Sequence, residues 1–128
     1  MKILLDTYTF LWLTIDAAEV SEKAKLLFQN PENSIYLSSV SVWEIIVKFQ
    51  LGKLPLPSPP EDFIKQQCDK HFIEHLAPGE KSVFYLSNLP NHHRDPFDKM
   101  LVCQALANDL IILTPDKMII QYPVSTAW

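Results

Sequence analysis

Apolar and polar positions alternate along the chain in a way that separates short strands from longer helices. Short apolar runs predict strands at residues 3–5, 34–38 and 110–113, with a weaker strand at 72–76 and an edge strand at 122–125. Helical spacing of apolar residues predicts helices at residues 9–13, 21–29, 42–51, 63–70, 81–89, 97–107 and 116–121. Because the strands alternate with helices, this pattern predicts an α/β sandwich with a mostly parallel central sheet.

The composition is that of one folded domain spanning residues 1–128, with 48% hydrophobic and 20% charged residues. No apolar run is long enough to span a membrane. Asp6 comes too early for a secretion signal, so we expect a cytoplasmic protein in which Cys68 and Cys103 are reduced thiols. Trp12 and Trp43 stand at apolar helical positions and are expected to pack in the core.

Charge and glycine content exclude several kinds of phosphate site. The net charge is −4, so the overall field would repel nucleic acid, and a phosphate substrate would need local bases or bound cations. Gly52 and Gly79 are the two glycines, which excludes a P-loop and a G-x-G-x-x-G turn. A G-x-S-x-G nucleophile elbow is absent from the sequence as well.

Several carboxylates are predicted to meet at one edge of the sheet. The carboxyl ends of parallel strands share an edge, and ligands bind beyond it. Asp6 follows the first strand, Glu44 lies early in the helix after the second, and Asp116 follows the last core strand. Asp95 and Asp98 begin the helix that precedes that last strand. Separate segments therefore bring acids towards the same place.

Asp98 and Asp6 carry the strongest functional signal among these acids. Asp98 heads a buried helical stripe and would be costly there without a partner such as a cation, so we favour a site role over simple stabilisation of the helix dipole. Asp6 closes a buried strand with no obvious partner in its own segment, and Thr7 beside it could orient the carboxylate or a metal-bound water. The residues that share the helix face of Asp98 are Leu101, Val102 and Ala105.

The other acids have good structural explanations. Asp95 precedes a proline at the first helical position and fits an N-cap, which leaves it open between a cap and a ligand. Glu44 fits a capping box with Ser41 and a surface pair with Lys48, so taken alone it is more simply structural. Asp116 fits either a cap of the final helix or a site residue.

Basic groups give weaker signals. His71 and His75 are four residues apart but lack the third ligand of a zinc site, so we expect them at the surface. Just before the acidic pair, three basic residues could bring positive charge to a phosphate: His92, His93 and Arg94.

A cluster of carboxylates predicts a divalent cation. Like charges at close range raise one another's pKa, so three or four acids cannot all ionise unless a cation joins them. Oxygen ligands with little histidine and no cysteine suit Mg²⁺ or Mn²⁺. Such ions lower the pKa of a bound water and neutralise phosphate oxygens, which predicts hydrolysis of a phosphodiester.

Five segments occur in order between residue 3 and residue 128: "LLDTYTFLW", "SVWEIIVK", "HRDPFDKMLVCQAL", "IILTPD" and "YPVSTAW". Their joint pattern resembles the PIN-domain ribonucleases, specifically the VapC toxins of bacterial toxin–antitoxin modules. The resemblance implies a PIN-like three-layer α/β/α sandwich and a Mg²⁺- or Mn²⁺-dependent endoribonuclease with four acids.

Carried over to this chain, the resemblance implies a catalytic and metal-binding quartet of Asp6, Glu44, Asp98 and Asp116. Asp95, Thr7 and Thr114 are expected to assist, and the candidate substrate contacts are His93, Arg94 and Lys99.

The resemblance also implies partners. Such toxins form homodimers and are held inactive by a small antitoxin, for which apolar residues in 9–13 and 42–51 could provide a groove. Two other functions remain open. A metal-dependent nuclease acting on DNA would keep the acids but need a longer basic clamp, and a catalytically silent PIN-fold binding module would need none of them.

Overall fold

A five-stranded sheet forms the centre of the protein. The computed structural model describes residues 1–92 and 94–128, and within them every strand pairing is parallel. The spatial order is β3-β2-β1-β4-β5. The strands are β1 (Lys2–Leu5), β2 (Ser34–Ser38), β3 (Glu74–Leu76), β4 (Ile111–Leu113) and β5 (Thr126–Ala127).

Helices connect the strands, and each predicted helix is present with shifts at its ends. The segment predicted as one helix at 81–89 is a short α-helix followed by a 3₁₀ turn at Tyr85–Asn88. The α-helices are α1 (Thr7–Thr14), α2 (Glu22–Gln29), α3 (Ser39–Gln50), α4 (Pro60–His71), α5 (Glu80–Phe84), α6 (Pro96–Asn108) and α7 (Lys117–Ile120).

The core has two halves, one on each face of the sheet. Side chains alternate along a strand, so Ile3 and Leu5 of β1 point to one face and Leu4 to the other. The first face packs against buried residues of α1, α2 and α4, and the second packs against α6 and α7. This arrangement confirms the predicted α/β/α sandwich with a parallel sheet.

The strand order reverses next to β1. The chain passes from β1 outward to β2 and β3, then crosses to the other side of β1 to form β4 and β5. Ligands of open parallel sheets bind at such a reversal, beyond the carboxyl ends of the strands. In this protein that position is the end of β1 and β4, where Asp6 and Thr114 follow the last strand residues.

The start of α3 differs from the prediction. The helix begins at Ser39, and its N-cap is Ser38, whose Oγ accepts a hydrogen bond of 3.0 Å from the backbone N–H of Val40. The same hydroxyl donates to Oε1 of the buried Gln104 on α6. The predicted capping box on Ser41 is therefore wrong, because a tertiary partner favours the earlier cap.

Two further predictions are wrong. The edge strand forms at Thr126–Ala127 rather than at 122–125, because these residues pair with the free edge of β4. Trp43 is 57% exposed and does not lie in the core, whereas Trp12 packs on the core in an edge contact with Trp128, with ring centroids 6.0 Å apart. Both cysteines are buried free thiols.

Within residues 1–92 and 94–128, none of the helices combines the length and the apolar character needed to cross a bilayer.

Candidate acidic active site

Asp6 lies at the centre of the site because β1 is the central strand. Its backbone is extended at the position that precedes α1, and 5% of the residue is exposed. One carboxylate oxygen, Oδ2, accepts a hydrogen bond of 2.8 Å from Oγ1 of Thr114, which follows β4 and is fully buried. Two neighbouring strand ends, far apart in sequence, are thus joined by a side-chain contact.

Asp116 follows on the same loop as Thr114. Its backbone N–H donates to Oγ1 of Thr114 at 3.0 Å, and its own Oδ1 accepts from the N–H of Met118 at 2.9 Å. The cap of the last helix is therefore confirmed, and the same carboxylate is half-buried beside Asp6 and acts electrostatically on it.

Glu44 approaches the site from the second turn of α3. Only 2% of it is exposed, and Nζ of Lys48 lies 2.5 Å from Oε2. That ammonium also donates to the Tyr8 hydroxyl at 3.0 Å and lies 4.8 Å from the centre of the Tyr8 ring. Within the described part of the chain, Glu44 Oε1 is buried with no hydrogen-bond partner. The predicted pair with Lys48 exists, but it is not at the surface.

Thr7 and Ser41 connect the helices that carry these groups. The Thr7 hydroxyl donates to Oγ of Ser41 at 2.9 Å, and both residues are buried. Thr7 therefore joins α1 to α3 through its side chain, while its backbone forms the hydrogen bond to Asp6.

Asp95 and Asp98 come from the start of α6. Oδ1 of Asp95 accepts from the N–H groups of Phe97 and Asp98, at 2.9 and 3.1 Å. Pro96 occupies the first turn, as a capped helix start requires, so the predicted cap is confirmed. Asp98 is 9% exposed, which agrees with the prediction that it heads the buried face of the helix.

The pKa values show that the acids from four segments interact. The pKa of Asp98 is raised to about 8, most of all by burial and then by the charges of Asp95, Asp6, Glu44 and Asp116 in that order. The pKa of Asp6 is raised to about 6, with burial as the largest cause. The hydrogen bond from Thr114 opposes that rise, whereas the charges of Asp116 and Glu44 add to it. The four acids predicted from the sequence therefore lie close enough to act electrostatically on one another.

The donor set suits a hard divalent cation. Within residues 1–92 and 94–128, no three His, Cys, Asp or Glu side chains already form a closed metal cluster. Like charges at close range raise one another's pKa, and Lys48 occupies Oε2 of Glu44. The unpartnered Glu44 Oε1 and the two raised carboxyl pKa values are features that a cation would relieve. The residues that could hold one are Asp6, Glu44, Asp98 and Asp116.

The predicted substrate contacts flank the acids. Arg94 is exposed, and Lys99 is half-buried and donates to Oδ1 of Asn91 at 3.1 Å. Both line a cleft next to the start of α6. His93 lies outside the described residues.

Some residues of the site were missed or misjudged by sequence reasoning. The sequence predicts Lys48 as half of a surface pair, whereas its contact with Tyr8 joins two helices that only the fold brings together. The spacing of four between Glu44 and Lys48 was a visible signal for the pair, but no local pattern indicated its burial.

Comparison with known proteins identifies the family. A family model described as "PIN domain" matches residues 3–124. The chain belongs to the PIN domain family. It is also similar to "Ribonuclease VapC16" of Mycobacterium tuberculosis, with 40% identity over 48 residues. That match covers 38% of this chain and about a third, 34%, of the curated relative.

Solved structures show the same PIN fold over nearly the whole chain. The structure of VapBC2 from Rickettsia felis bound to a DNA fragment from its promoter matches with a TM-score of 0.68 and 17% identity, over 99% of this chain and 98% of the other. VapBC-1 from nontypeable Haemophilus influenzae matches with a TM-score of 0.66 and 16% identity, over 99% and 97%. The predicted resemblance to PIN domains is confirmed, and over part of its length the chain is similar to a protein named as a VapC ribonuclease.

Proposed function

We propose that this PIN domain is a Mg²⁺- or Mn²⁺-dependent endoribonuclease, the toxin of a toxin–antitoxin pair. The observation that carries the proposal is the mutual coupling of buried Asp6 and Asp98 with Glu44 and Asp116 beyond the carboxyl ends of β1 and β4. The curated relative named as a ribonuclease supports the reaction class, and the VapBC structures support the setting.

In this proposal, Asp6, Glu44, Asp98 and Asp116 hold the cation. A bound Mg²⁺ or Mn²⁺ supplies an acidified water and charge neutralisation at the phosphate. The chain itself fixes the ligands beforehand. The Thr114 hydroxyl holds Oδ2 of Asp6, and the Lys48 ammonium holds Oε2 of Glu44, leaving Oε1 free to coordinate.

Hydrolysis then needs a phosphodiester brought to these carboxylates. Arg94 and Lys99 flank the acids on α6 and the loop before it, where their positive charge would hold phosphate oxygens. The water oxygen bonds to phosphorus while the bond from phosphorus to one ribose oxygen breaks. The proton lost by the water is balanced by the proton gained by the leaving oxygen.

An antitoxin is the proposed regulatory partner. The VapBC names of the similar structures support this, and a homodimer or a hetero-oligomer with antitoxin is the expected assembly. Part of the apolar groove predicted at residues 9–13 is filled by the protein's own core, since Phe10 is buried and Leu11 packs against the core. We place the protein in the cytoplasm in this proposal, in keeping with its free thiols.

RNA cleavage in the presence of Mg²⁺ or Mn²⁺ tests the function. The substrates are total RNA and matched single-stranded DNA, and the proteins are the parent, Asp6→Asn and Asp98→Asn. Loss of a residue that only hydrogen-bonds to a metal ligand lowers metal affinity or activity by about 10- to 100-fold. Loss of a ligand itself should therefore cost at least as much. Asp69→Asn, an exposed acid on α4, is the matched control and should cleave like the parent.

The outcomes separate the rival functions. Cleavage of RNA but not DNA by the parent and by Asp69→Asn, with none by the two site variants, supports the proposal. Preferential cleavage of DNA favours the DNA nuclease. A parent that cuts no RNA or DNA with either ion favours the silent binding module, and site variants as active as the parent overturn the assignment of the acids.

A further inference from the structure

A cleft of about 560 Å³ lies between the N-terminal halves of α3 and α6, the helices that carry Glu44 and Asp98. Trp43 and Val40 of α3 form one wall. Arg94 and Lys99 bring two positive charges to a mostly apolar lining. The remaining lining residues are Ser39, Pro78, Leu86, Pro96 and Met100. Its volume is within the range of small-ligand sites, which is about 300–1,000 Å³.

Trp43 is the unusual member of this lining. It is 57% exposed although Ser41 and Glu44 near it on the same helix are buried. Its ring is held in an edge contact with Phe97 of α6, with ring centroids 4.8 Å apart and an angle of 75° between the planes. A large aromatic ring is therefore fixed in orientation while much of its surface stays accessible.

The cleft and the acidic site share the same two helices. Trp43 precedes Glu44 in α3, and Pro96 and Lys99 lie on either side of Asp98 in α6. A nucleic acid strand with one phosphodiester at the carboxylates would therefore have an adjacent nucleotide close to the cleft.

We propose that this cleft binds one base of a single-stranded RNA, stacked on Trp43, with an adjoining phosphate held by Arg94 and Lys99. The proposal rests on the proposed function, since it assigns the substrate subsite of the same nuclease. An accessible aromatic ring beside two cations is the combination with which proteins bind single strands. An apolar peptide side chain would use the ring and the apolar walls but leave both cations without a counterpart.

Nucleotide binding can be measured without any cleavage. Each of the three tryptophans, Trp12, Trp43 and Trp128, gives one indole N–H signal in a nitrogen-edited NMR spectrum, and Trp43→Leu assigns one of them by its absence. The probes are the four nucleoside 5′-monophosphates, the corresponding nucleosides and inorganic phosphate. We expect monophosphates and, more weakly, nucleosides to shift the Trp43 signal and to leave the Trp12 and Trp128 signals in place.

Variants separate the base from the phosphate. Trp43→Leu should weaken monophosphate binding by about 5- to 150-fold, the range that corresponds to loss of stacking on one base, when binding is followed through other cleft resonances. Arg94→Ala should remove the difference between a monophosphate and its nucleoside while keeping nucleoside binding. Phe72→Leu, an exposed aromatic outside this cleft, is the control and should bind like the parent.

Three results would overturn the subsite. A shift of the Trp43 signal by inorganic phosphate alone, as large as the shift by the monophosphates, would show that the cleft is only an anion site. A Trp43 signal that the probes leave in place but the co-expressed antitoxin shifts would show that the cleft is a protein-binding surface. Binding unchanged in Trp43→Leu would exclude stacking. Each of these is compatible with RNA cleavage by the parent, so failure here is distinct from failure of the proposed function.

Discussion

Glu44 places a carboxylate in an almost fully buried position. The cation that compensates it is Lys48, one helical turn away on α3. Burial alone would lower the pKa of Lys48, but hydrogen bonds to Glu44 and Tyr8 raise it above its ordinary value. Lys48 thus compensates the buried Glu44 carboxylate and holds one of its oxygens in place.

Replacing Lys48 by methionine should therefore destabilise the fold. Lys48→Met leaves a buried carboxylate without its charged donor, and we expect the free energy of unfolding to fall by about 1–3 kcal/mol in EDTA. Denaturant unfolding measures this. Adding Glu44→Gln to Lys48→Met should recover part of the loss, because the unpaired charge is removed.

Lys65→Met is the matched control for Lys48→Met. Lys65 pairs with Glu61 at the same spacing of four residues, with 2.8 Å between Nζ and Oε1, but both side chains are exposed. Its removal should change stability little. Equal effects of the two substitutions would show that burial of Glu44 is not what gives Lys48 its importance.

At the scale of elements, α6 combines a helix cap with a site residue. Asp95 satisfies two backbone N–H groups at the start of the helix, one of which belongs to Asp98. The cap therefore holds the backbone N–H of Asp98 against the Asp95 carboxylate. Its negative charge also raises the pKa of Asp98.

Two substitutions at Asp95 separate the cap from a ligand role. Asp95→Ala should lower the free energy of unfolding by about 0.5–2 kcal/mol, whereas Asp95→Asn retains a capping oxygen and should stay close to the parent in stability and in RNA cleavage. Ser21→Ala removes the cap of α2 and should lower the free energy of unfolding by a similar amount. It should not change the rate at which the folded protein cleaves RNA. A stable Asp95→Asn protein that has lost cleavage would make Asp95 a direct participant in the site.

How far the sequence predicted these elements depended on whether the information was local. The cap at Asp95 and the strand at Ser34–Ser38 followed from residues within one segment, and both are confirmed. The start of α3 did not, because Ser38 is fixed by Gln104 on another helix. Strand β5 depends on pairing with the exposed edge of β4, so the local pattern at 122–125 placed it too early.

The candidate site followed the same rule. The sequence predicts that the acids meet because the carboxyl ends of parallel strands share one edge of the sheet. The fold brings these acids close enough to act electrostatically on one another. The sequence could not reveal the exposure of Trp43, since an apolar helical position looks the same whether it meets the core or a cleft. The roles of the four acids as metal ligands or catalytic residues stay predictions.

At the scale of the whole molecule, the acidic site costs stability without a cation. The folded-state pKa values of Asp6 and Asp98, about 6 and about 8, lie above the ordinary value of 3.8. For a carboxyl group with a raised pKa, the folded state binds the proton more tightly than the unfolded state does. The stabilisation that such a carboxyl group contributes is therefore fully present below its pKa in the unfolded state. It is lost as the pH rises through its pKa in the folded state.

Thermal unfolding in EDTA should show this dependence. We expect the midpoint temperature of the parent to fall between about pH 5 and about pH 9, and Asp98→Asn should lose the upper part of that fall because it removes the group with the higher pKa. Saturating Mn²⁺ should raise the parent's midpoint most at the alkaline end, where the acids are ionised. Asp69→Asn should follow the parent, and a parent whose stability rises steadily over this range would contradict the coupling.

The most direct test of the account is calorimetric titration of Mn²⁺ into the protein without RNA, near neutral pH and in two buffers of different protonation enthalpy. The account predicts that the parent and Asp69→Asn bind Mn²⁺ and release protons, and that Asp98→Asn binds at least about tenfold more weakly. Binding by Asp98→Asn equal to that of the parent, or no binding of Mn²⁺ or Mg²⁺ by the parent, would contradict a cation site formed by these acids.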